Sequence, residues 1–229
     1  MQKRRSIMRF QQWVCAMVLV VFSLWLPLPV LAGALDVGET AHLIFMREEE
    51  KLARDVYLTM ATLYPAAATF STIGTQSEQT HTDTVRDMLA KYGIPDPNPD
   101  ANNLPDSIGV FTGQDYGWYF TEKYLALVDR GRISLLEALY VGAFIEELDM
   151  LDIVGCPKVI VETSTVISEG QCGLTYTDEP ALQTMYTHLV DGSKDHLRAY
   201  VTYIEVIIGV GNYVAQVLTQ AEVDAILGR

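Results

Sequence analysis

The segment SEQTHTDTVRDMLAKYG (residues 77–93) belongs to a predicted amphipathic helix that covers about residues 71–92 and ends at a glycine. Its apolar residues recur at three- and four-residue steps, the spacing of one helical face: Val85, Met88 and Tyr92. Gly93 provides a C-terminal cap. Stepping back from Val85 along the same face gives His81 and then Glu78, so this carboxylate and this imidazole are predicted to face the interior. A buried pair of this kind needs a partner, and a metal ion is one candidate.

Four further segments carry helical spacing, and turn or cap signals separate them. They cover approximately residues 39–64, 116–130, 134–154 and 177–208. A short last helix is expected after the TQAE sequence at residues 219–222, which has the form of a capping box. Because amphipathic helices of this length bury their apolar faces against one another, the pattern predicts an all-α fold: a four-helix bundle with an extra short helix.

The composition is that of a folded, acidic protein. Hydrophobic residues make up 49% of the 229, and 29 acidic residues against 16 basic ones give a formal charge of -13. Since no basic patch exists to replace phosphate counterions, we expect no nucleic-acid partner.

The first 34 residues predict a secretory signal peptide, which leaves residues 35–229 as one domain. A basic start precedes an almost wholly apolar run at residues 13–31, and small residues follow at Ala32 and Ala34. The protein is therefore expected in the periplasm or secreted. An uncleaved membrane anchor is the alternative, because the run is close to the length that spans a bilayer. The RRSIMR sequence at residues 4–9 also resembles a twin-arginine export signal.

Two cysteines remain in the predicted mature chain, Cys156 and Cys172, and they bound a loop insertion. In an oxidising compartment such a pair predicts a disulfide. A redox-active thiol pair is the alternative, although no CxxC spacing supports it. Inside the insertion, the β-branched VIVETSTVI segment (residues 159–167) predicts a small hairpin.

Ionisable residues also fall on the apolar stripes of the other long helices. In chain order the candidates for a metal site are Glu50, Glu78, His81, Glu146, Glu147, Asp149 and His196. Glu48 falls on a polar face that is expected to be solvated, and Glu49 is ambiguous. His42 and His188 are expected to be ordinary histidines.

Buried carboxylates would each cost several kcal/mol unless they were protonated or paired, and shared divalent cations would satisfy all of them. A Glu, a Glu-x-x-His, a second Glu and a further His resemble the ligand layout of di-iron and di-manganese carboxylate bundles. Oxygen ligands with a few imidazoles favour iron or manganese, with zinc possible.

Five motifs together resemble the ferritin-like family called domain of unknown function 2202. They are MREEEKLARDVY, SEQTH, KYGIPDP, VGAFIEELD and GSKDHLRAY, and they span roughly residues 38–208. The resemblance implies a ferritin-like four-helix bundle related to the rubrerythrins, but no established activity. Glu50, Arg54 and Tyr57 match the first-helix pattern of rubrerythrins, which supports Glu50 over its neighbours.

The chain departs from the rubrerythrin pattern at its last ligand helix and in its insertion. Ser193 stands three residues before His196, where a Glu is expected, so the site is asymmetric, holds one metal, or takes the missing oxygen from Asp149. The insertion bounded by cysteines is not part of the pattern. No pair of CxxC motifs provides a rubredoxin-like route for electrons.

Three functions remain open on the sequence alone. The first is a di-iron or di-manganese oxidoreductase that acts on oxygen or peroxide. The second is metal binding or storage without turnover. The third is a metal-free helical interaction module, which the Ser193 departure favours. A homo-oligomer is compatible with each of them.

Overall fold

The structure is a computed structural model that describes residues 33–229, and the regular elements within that range are all helices. The predicted signal peptide falls almost entirely on residues 1–32, which lie outside the described range. Within the described part, no helix combines the length and the apolar character needed to cross a bilayer.

The helices have the following bounds: α1 (Val37–Leu63), α2 (Ala68–Thr72), a π-helical turn (Ile73–Ser77), α3 (Glu78–Lys91), α4 (Gly117–Gly131), α5 (Leu135–Val154), α6 (Lys158–Thr163), α7 (Pro180–Ile208) and α8 (Gln220–Leu227). Helix α1 packs along α3, helix α5 packs along α7, and α4 covers α1 and α5. The predicted all-α bundle is therefore confirmed. Its core consists of the apolar faces of these helices.

Local sequence signals set several helix starts. Asp36 and Glu39 form a capping box at α1, with Asp36 Oδ1 accepting from the Glu39 N–H at 2.8 Å. Ser134 caps α5, and the predicted box at Thr219 caps α8. These side chains satisfy N–H groups that have no partner inside the helix.

The second predicted helix is not one uninterrupted α-helix. Helix α2 runs directly into the π-helical turn and then into α3. The turn widens the backbone by one residue just before Glu78, and such turns commonly accompany functional sites. Gly74 lies in it, and a Cβ at this position would meet Tyr57 Cβ at 3.1 Å. The close approach of this segment to α1 thus depends on a residue without a side chain.

The insertion contains the predicted disulfide but not the predicted hairpin. Cys156 and Cys172 are bonded, as expected. The hairpin prediction is wrong, because residues 158–163 form α6 and the described residues contain no strand to pair with them. Val159 and Ile160 are buried against the bundle. Burial of neighbouring residues on a short helix has overridden their β propensity.

The polar face of α1 is not solvated, and the expectation for Glu48 is wrong. The loop between α3 and α4 covers this face, and the exposed fraction of the Glu48 residue is 0%. Asn98 donates to Glu48 Oε2 at 2.7 Å, and Lys51 donates to the Ser107 carbonyl at 2.8 Å. Arg47 pairs with Asp96 at 2.9 Å. Because loop residues supply partners, charges that would be costly to bury alone are accommodated.

Candidate metal centre

Five of the predicted ligands converge inside the bundle from four helices. They are Glu50 on α1, Glu78 and His81 on α3, Glu146 on α5 and His196 on α7. All five are buried, and the most exposed of them, His196, has a relative exposure of 6%. The spacing of each residue on its own helix brings it to this interior face.

Glu78 is the centre of the group. Its Oε1 lies 2.8 Å from His196 Nδ1, and its Oε2 lies 3.3 Å from His81 Nδ1. The two flanking carboxylates complete the cluster: Glu50 Oε2 is 3.4 Å from His81 Nδ1 and Glu146 Oε2 is 3.4 Å from His196 Nδ1. One donor atom each from Glu78, His81 and His196 lies within 4.8 Å of the others, a spacing that a single metal ion can bridge.

Two atoms of these ligands make no aligned hydrogen bond in the described part of the chain. His196 Nδ1 is 2.8 Å from Glu78 Oε1, yet neither it nor Glu50 Oε1 makes a hydrogen bond of good geometry within the described residues. Buried polar atoms are nearly always satisfied, so each exception requires an explanation. Buried donor atoms that are gathered in one place and incompletely paired fit a set of metal ligands.

The second ring nitrogen of His196 is held from outside the cluster. His196 Nε2 lies 2.7 Å from Ser77 Oγ, at the end of the π-helical turn. When the ring is neutral and its proton lies on Nε2, donated to Ser77, the lone pair of Nδ1 is directed at the carboxylates and is free to bind a metal. Outer partners of this kind fix the orientation and tautomer of metal-binding histidines.

Burial and mutual charge both shift pKa values in the cluster, and they act in opposite directions on the two histidines. Burial raises the pKa of Glu50 to about 7, although His81 opposes the shift. Burial lowers the pKa of His81, but the Glu78 and Glu50 carboxylates outweigh it and raise that pKa to about 12. The pKa of His196 is raised to about 11, because Glu146 and Glu78 again outweigh burial. Without a metal, protons on the two histidines and the raised carboxyl pKa values thus reduce the negative charge of the cluster, and a cation would replace protons there.

Comparison with known proteins identifies the family. The model of the family described as an uncharacterised protein domain, DUF2202, matches residues 39–229. The chain belongs to the DUF2202 family. It is 38% identical over 190 residues to the uncharacterised protein MJ0754 of Methanocaldococcus jannaschii, covering 82% of this chain and 86% of that relative.

A solved structure extends this comparison to the fold. The crystal structure of the hypothetical protein MJ0754 from Methanococcus jannaschii matches the DUF2202 domain with a TM-score of 0.65. The two share 37% identity, over 83% of this chain and 91% of the other. The family predicted from the five motifs is therefore confirmed.

Asp149 lies beside the cluster in the DUF2202 domain, and one of its carboxylate oxygens is hydrogen-bonded to Ser193. Ser193 Oγ donates to Asp149 Oδ2 at 2.6 Å, and Asp149 Oδ1 makes no hydrogen bond within residues 33–229. Burial raises the pKa of Asp149 well above its usual range, and the charges of Glu50 and Glu146 add to this shift. Ser193, which departs from the rubrerythrin pattern, thus contacts Asp149, which was one predicted source of the missing ligand oxygen.

Glu147 is not brought to the cluster. Its Oε1 accepts from the Tyr213 hydroxyl at 2.6 Å. Its Oε2 accepts from three consecutive backbone N–H groups of the segment after α7: Gln216 at 2.9 Å, Val217 at 2.6 Å and Leu218 at 2.9 Å. This carboxylate anchors the C-terminal segment to α5, so of the two adjacent glutamates only Glu146 faces the candidate ligands.

A pair of acids next to the DUF2202 cluster, buried Glu49 and partly buried Asp152, was not predicted from the sequence. Burial raises the pKa of Glu49 well above its usual range, the charge of Asp152 adds to this shift, and burial raises the pKa of Asp152 to about 6. Asp152 stands one helical step beyond Asp149, so the stripe that identified Glu146 and Asp149 could have been extended to find it. No sequence signal predicted that Ser77 contacts the ring of His196.

Proposed function

We propose that this chain is an exported, ferritin-like protein whose buried cluster binds iron or manganese, and that it acts as an oxidoreductase on oxygen or peroxide. The observation that carries the proposal is the position of Glu78, which directs one carboxylate oxygen to each of two histidines between two further buried glutamates. The arrangement follows the carboxylate–histidine layout of di-iron and di-manganese bundles, including the rubrerythrins.

The chemistry of the residues fits a transition metal. Three carboxylates and two imidazoles supply hard oxygen and intermediate nitrogen donors, a set that suits iron and manganese and also accepts zinc. The triad of Glu78, His81 and His196 would hold one ion, since its donor atoms lie within 4.8 Å of one another. A second ion would use Glu50 and the free oxygen of Asp149, whose buried atoms lack hydrogen-bond partners within residues 33–229.

The protein's own groups would orient and shield the site. Bound iron or manganese supplies reversible one-electron redox chemistry, which none of these side chains provides alone. The Tyr57 hydroxyl donates to Glu146 Oε1 at 2.5 Å and fixes that carboxylate. The ring of Tyr200 lies 5.3 Å from that of Tyr57, so two buried phenols stand beside the candidate ligands. Because all five candidate ligands are buried, the site favours small substrates such as oxygen or peroxide.

Metal binding or storage without turnover is the second candidate. Ser193 favours it, because this position lacks the carboxylate of the expected layout and the Ser193 hydroxyl donates a hydrogen bond to one oxygen of Asp149. A metal-free interaction module would need the histidines to remain permanently protonated among the carboxylates.

Export is proposed on the leader pattern, and the bonded pair of Cys156 and Cys172 supports it, since such bonds persist in oxidising compartments. The periplasm or the cell exterior is thus the proposed location. A membrane would be involved only if the leader stays attached, and a homo-oligomer is compatible with the proposal.

Elemental analysis of the mature protein and of two matched variants tests the proposal. Glu78→Gln keeps the shape of the central ligand and removes its charge, so iron, manganese and zinc per chain are expected to fall. Glu162→Gln alters an exposed glutamate paired with Lys158 and is expected to keep the metal of the wild type. Protein without any of these metals, or equal metal in both variants, would contradict the proposed site. Consumption of hydrogen peroxide by the loaded protein then separates turnover from storage.

A further inference from the structure

An open cleft of about 320 Å³ reaches the candidate metal cluster from the surface between α3 and α7. The edges of His81 and His196 line it. Both residues are buried apart from these edges, and the centroids of their rings lie 5.4 Å apart. A larger cavity of about 610 Å³, at the start of α1, touches none of the five candidate ligands. The smaller cleft therefore connects solvent with the metal-binding group.

Every side chain that lines the cleft carries a polar atom. Besides the two ligand histidines, the walls are formed by Ser77, Thr80, His188, Asp191 and Asp195, with Gly192 completing them. Such walls offer oxygen and nitrogen ligands at successive depths. They suit a hydrated cation, which exchanges water for these groups as it moves inward.

Two features of α7 shape the cleft. The ring of His188, which is exposed, lies 6.3 Å from the ring of His81 and nearly perpendicular to it. Gly192 packs against the same ring, since a Cβ there would lie 2.5 Å from His81 Cε1. The glycine lets the helix backbone approach the ligand without a side chain that would displace it.

Within residues 33–229, the two aspartates of the walls pair with basic side chains at the surface. Asp191 pairs with Lys194 at 2.9 Å, and Asp195 pairs with Arg198. Exposed ion pairs are worth little, so an arriving divalent cation can compete for either carboxylate.

We propose that this cleft is the path by which a hydrated divalent metal cation reaches the cluster, with His188, Asp191 and Asp195 as transit ligands. The proposal rests on the proposed function, because it assigns the route to that same site. A water molecule takes up about 30 Å³, so a cation with six waters needs about 180 Å³ and fits the cleft.

The rate of cobalt uptake tests the route, because Co²⁺ binding is followed directly by its visible absorption. The test compares the wild type with His188→Trp, which narrows the cleft from α7, and with His188→Trp combined with Thr80→Trp, which narrows it from both walls. Thr187→Trp is the matched control: Thr187 is exposed, adjacent on α7 and outside the cleft lining. Final cobalt per chain and helicity are measured for each protein.

Narrowing the cleft is expected to slow uptake by about tenfold or more, while the control stays within about twofold of the wild type. Final cobalt per chain should be the same in all of them. Equal uptake rates in all four proteins would overturn the proposed route and leave the metal site intact. A wild type that binds no cobalt, iron, manganese or zinc would overturn the proposed function and the route together.

Discussion

At the scale of single residues, neighbours on one helix have separate tasks. Glu146 joins the ligand cluster, whereas Glu147 anchors the C-terminal segment. The reason is the rotation of about 100° between successive helical residues, which directs adjacent side chains to different surroundings. Charge alone therefore does not decide which glutamate belongs to the site.

Exchanging each of these glutamates for glutamine is expected to separate the two tasks. Glu147→Gln should lower the free energy of unfolding by at least about 2 kcal/mol, because it weakens hydrogen bonds to a buried charged acceptor. Metal per chain should be unchanged. Glu146→Gln should instead lower metal content. Urea unfolding and elemental analysis of both variants make the comparison, and metal loss in Glu147→Gln would contradict the assignment.

His42 is expected to make stability depend on pH. Its Nε2 lies 2.9 Å from the Asp152 carbonyl oxygen and its Nδ1 lies 2.8 Å from the Tyr186 hydroxyl. Burial lowers the pKa of His42 from 6.5 to about 4. Between these two pH values the unfolded chain binds a proton on His42 and the folded chain does not. The contribution of neutral His42 to the free energy of unfolding is therefore full above about pH 6.5 and decreases as the pH falls toward 4.

The size of the effect is measurable against a variant that cannot titrate. Between pH 7 and pH 5, His42 should account for a loss of about 2 kcal/mol in the free energy of unfolding. His42→Gln removes the titrating group, so its stability should fall by correspondingly less over the same interval. Equal losses in the two proteins would show that His42 is not the source.

At the scale of elements, the insertion between α5 and α7 braces one end of the bundle. Thr177 donates to Glu39 Oε1 at 2.5 Å, and the Tyr176 hydroxyl donates to Asp36 Oδ2 at 2.5 Å. Both acceptors belong to the capping box of α1. The disulfide joins the chain just after α5 to the segment that makes these contacts. The start of α1 is therefore linked to the end of α5 through the insertion.

Removing the disulfide with Cys156→Ser and Cys172→Ser together is expected to cost about 3 kcal/mol in the chain-entropy account of a loop of this length. Metal content should be kept, because none of the five candidate ligands lies in the insertion. Thermal unfolding, with thiol counting of the untreated protein under denaturing conditions, provides the measurement. Two free thiols in the untreated protein would contradict the bond.

At the scale of the whole molecule, the cluster links four helices that also pack through their apolar faces. Its buried carboxylates and imidazoles are costly groups at the centre of the bundle. A ligand that binds only the folded state stabilises it through its binding free energy. The stability of the bundle should therefore depend on metal.

Chelation followed by addition of Mn²⁺ tests this dependence. Free metal at one hundred times its dissociation constant should stabilise the fold by about 2.7 kcal/mol, seen as a higher Tm in calorimetry. Glu78→Gln should show a much smaller rise under the same conditions. If Mn²⁺ raises the Tm of both proteins equally, the ion is stabilising the fold from another place.

The sequence alone determined the long helices, the disulfide and the ligand candidates, because each depends on local spacing. Periodicity places Glu50, Glu78, His81, Glu146 and His196 on interior stripes whatever the details of packing. The capping signal at Thr219 and the spacing of the two cysteines are equally local. Such features survive any rearrangement of loops around the bundle.

Only the tertiary structure decided which polar residues are buried together. Glu48 was expected in water, but a loop some fifty residues away in sequence covers it and supplies Asn98 as a partner. The separate environment of Glu147 depends on the segment after α7, and the small cleft beside His188 depends on how closely α7 approaches α3. Contacts between distant segments set the burial and hydrogen bonding of such groups, and helical spacing carries no information about them.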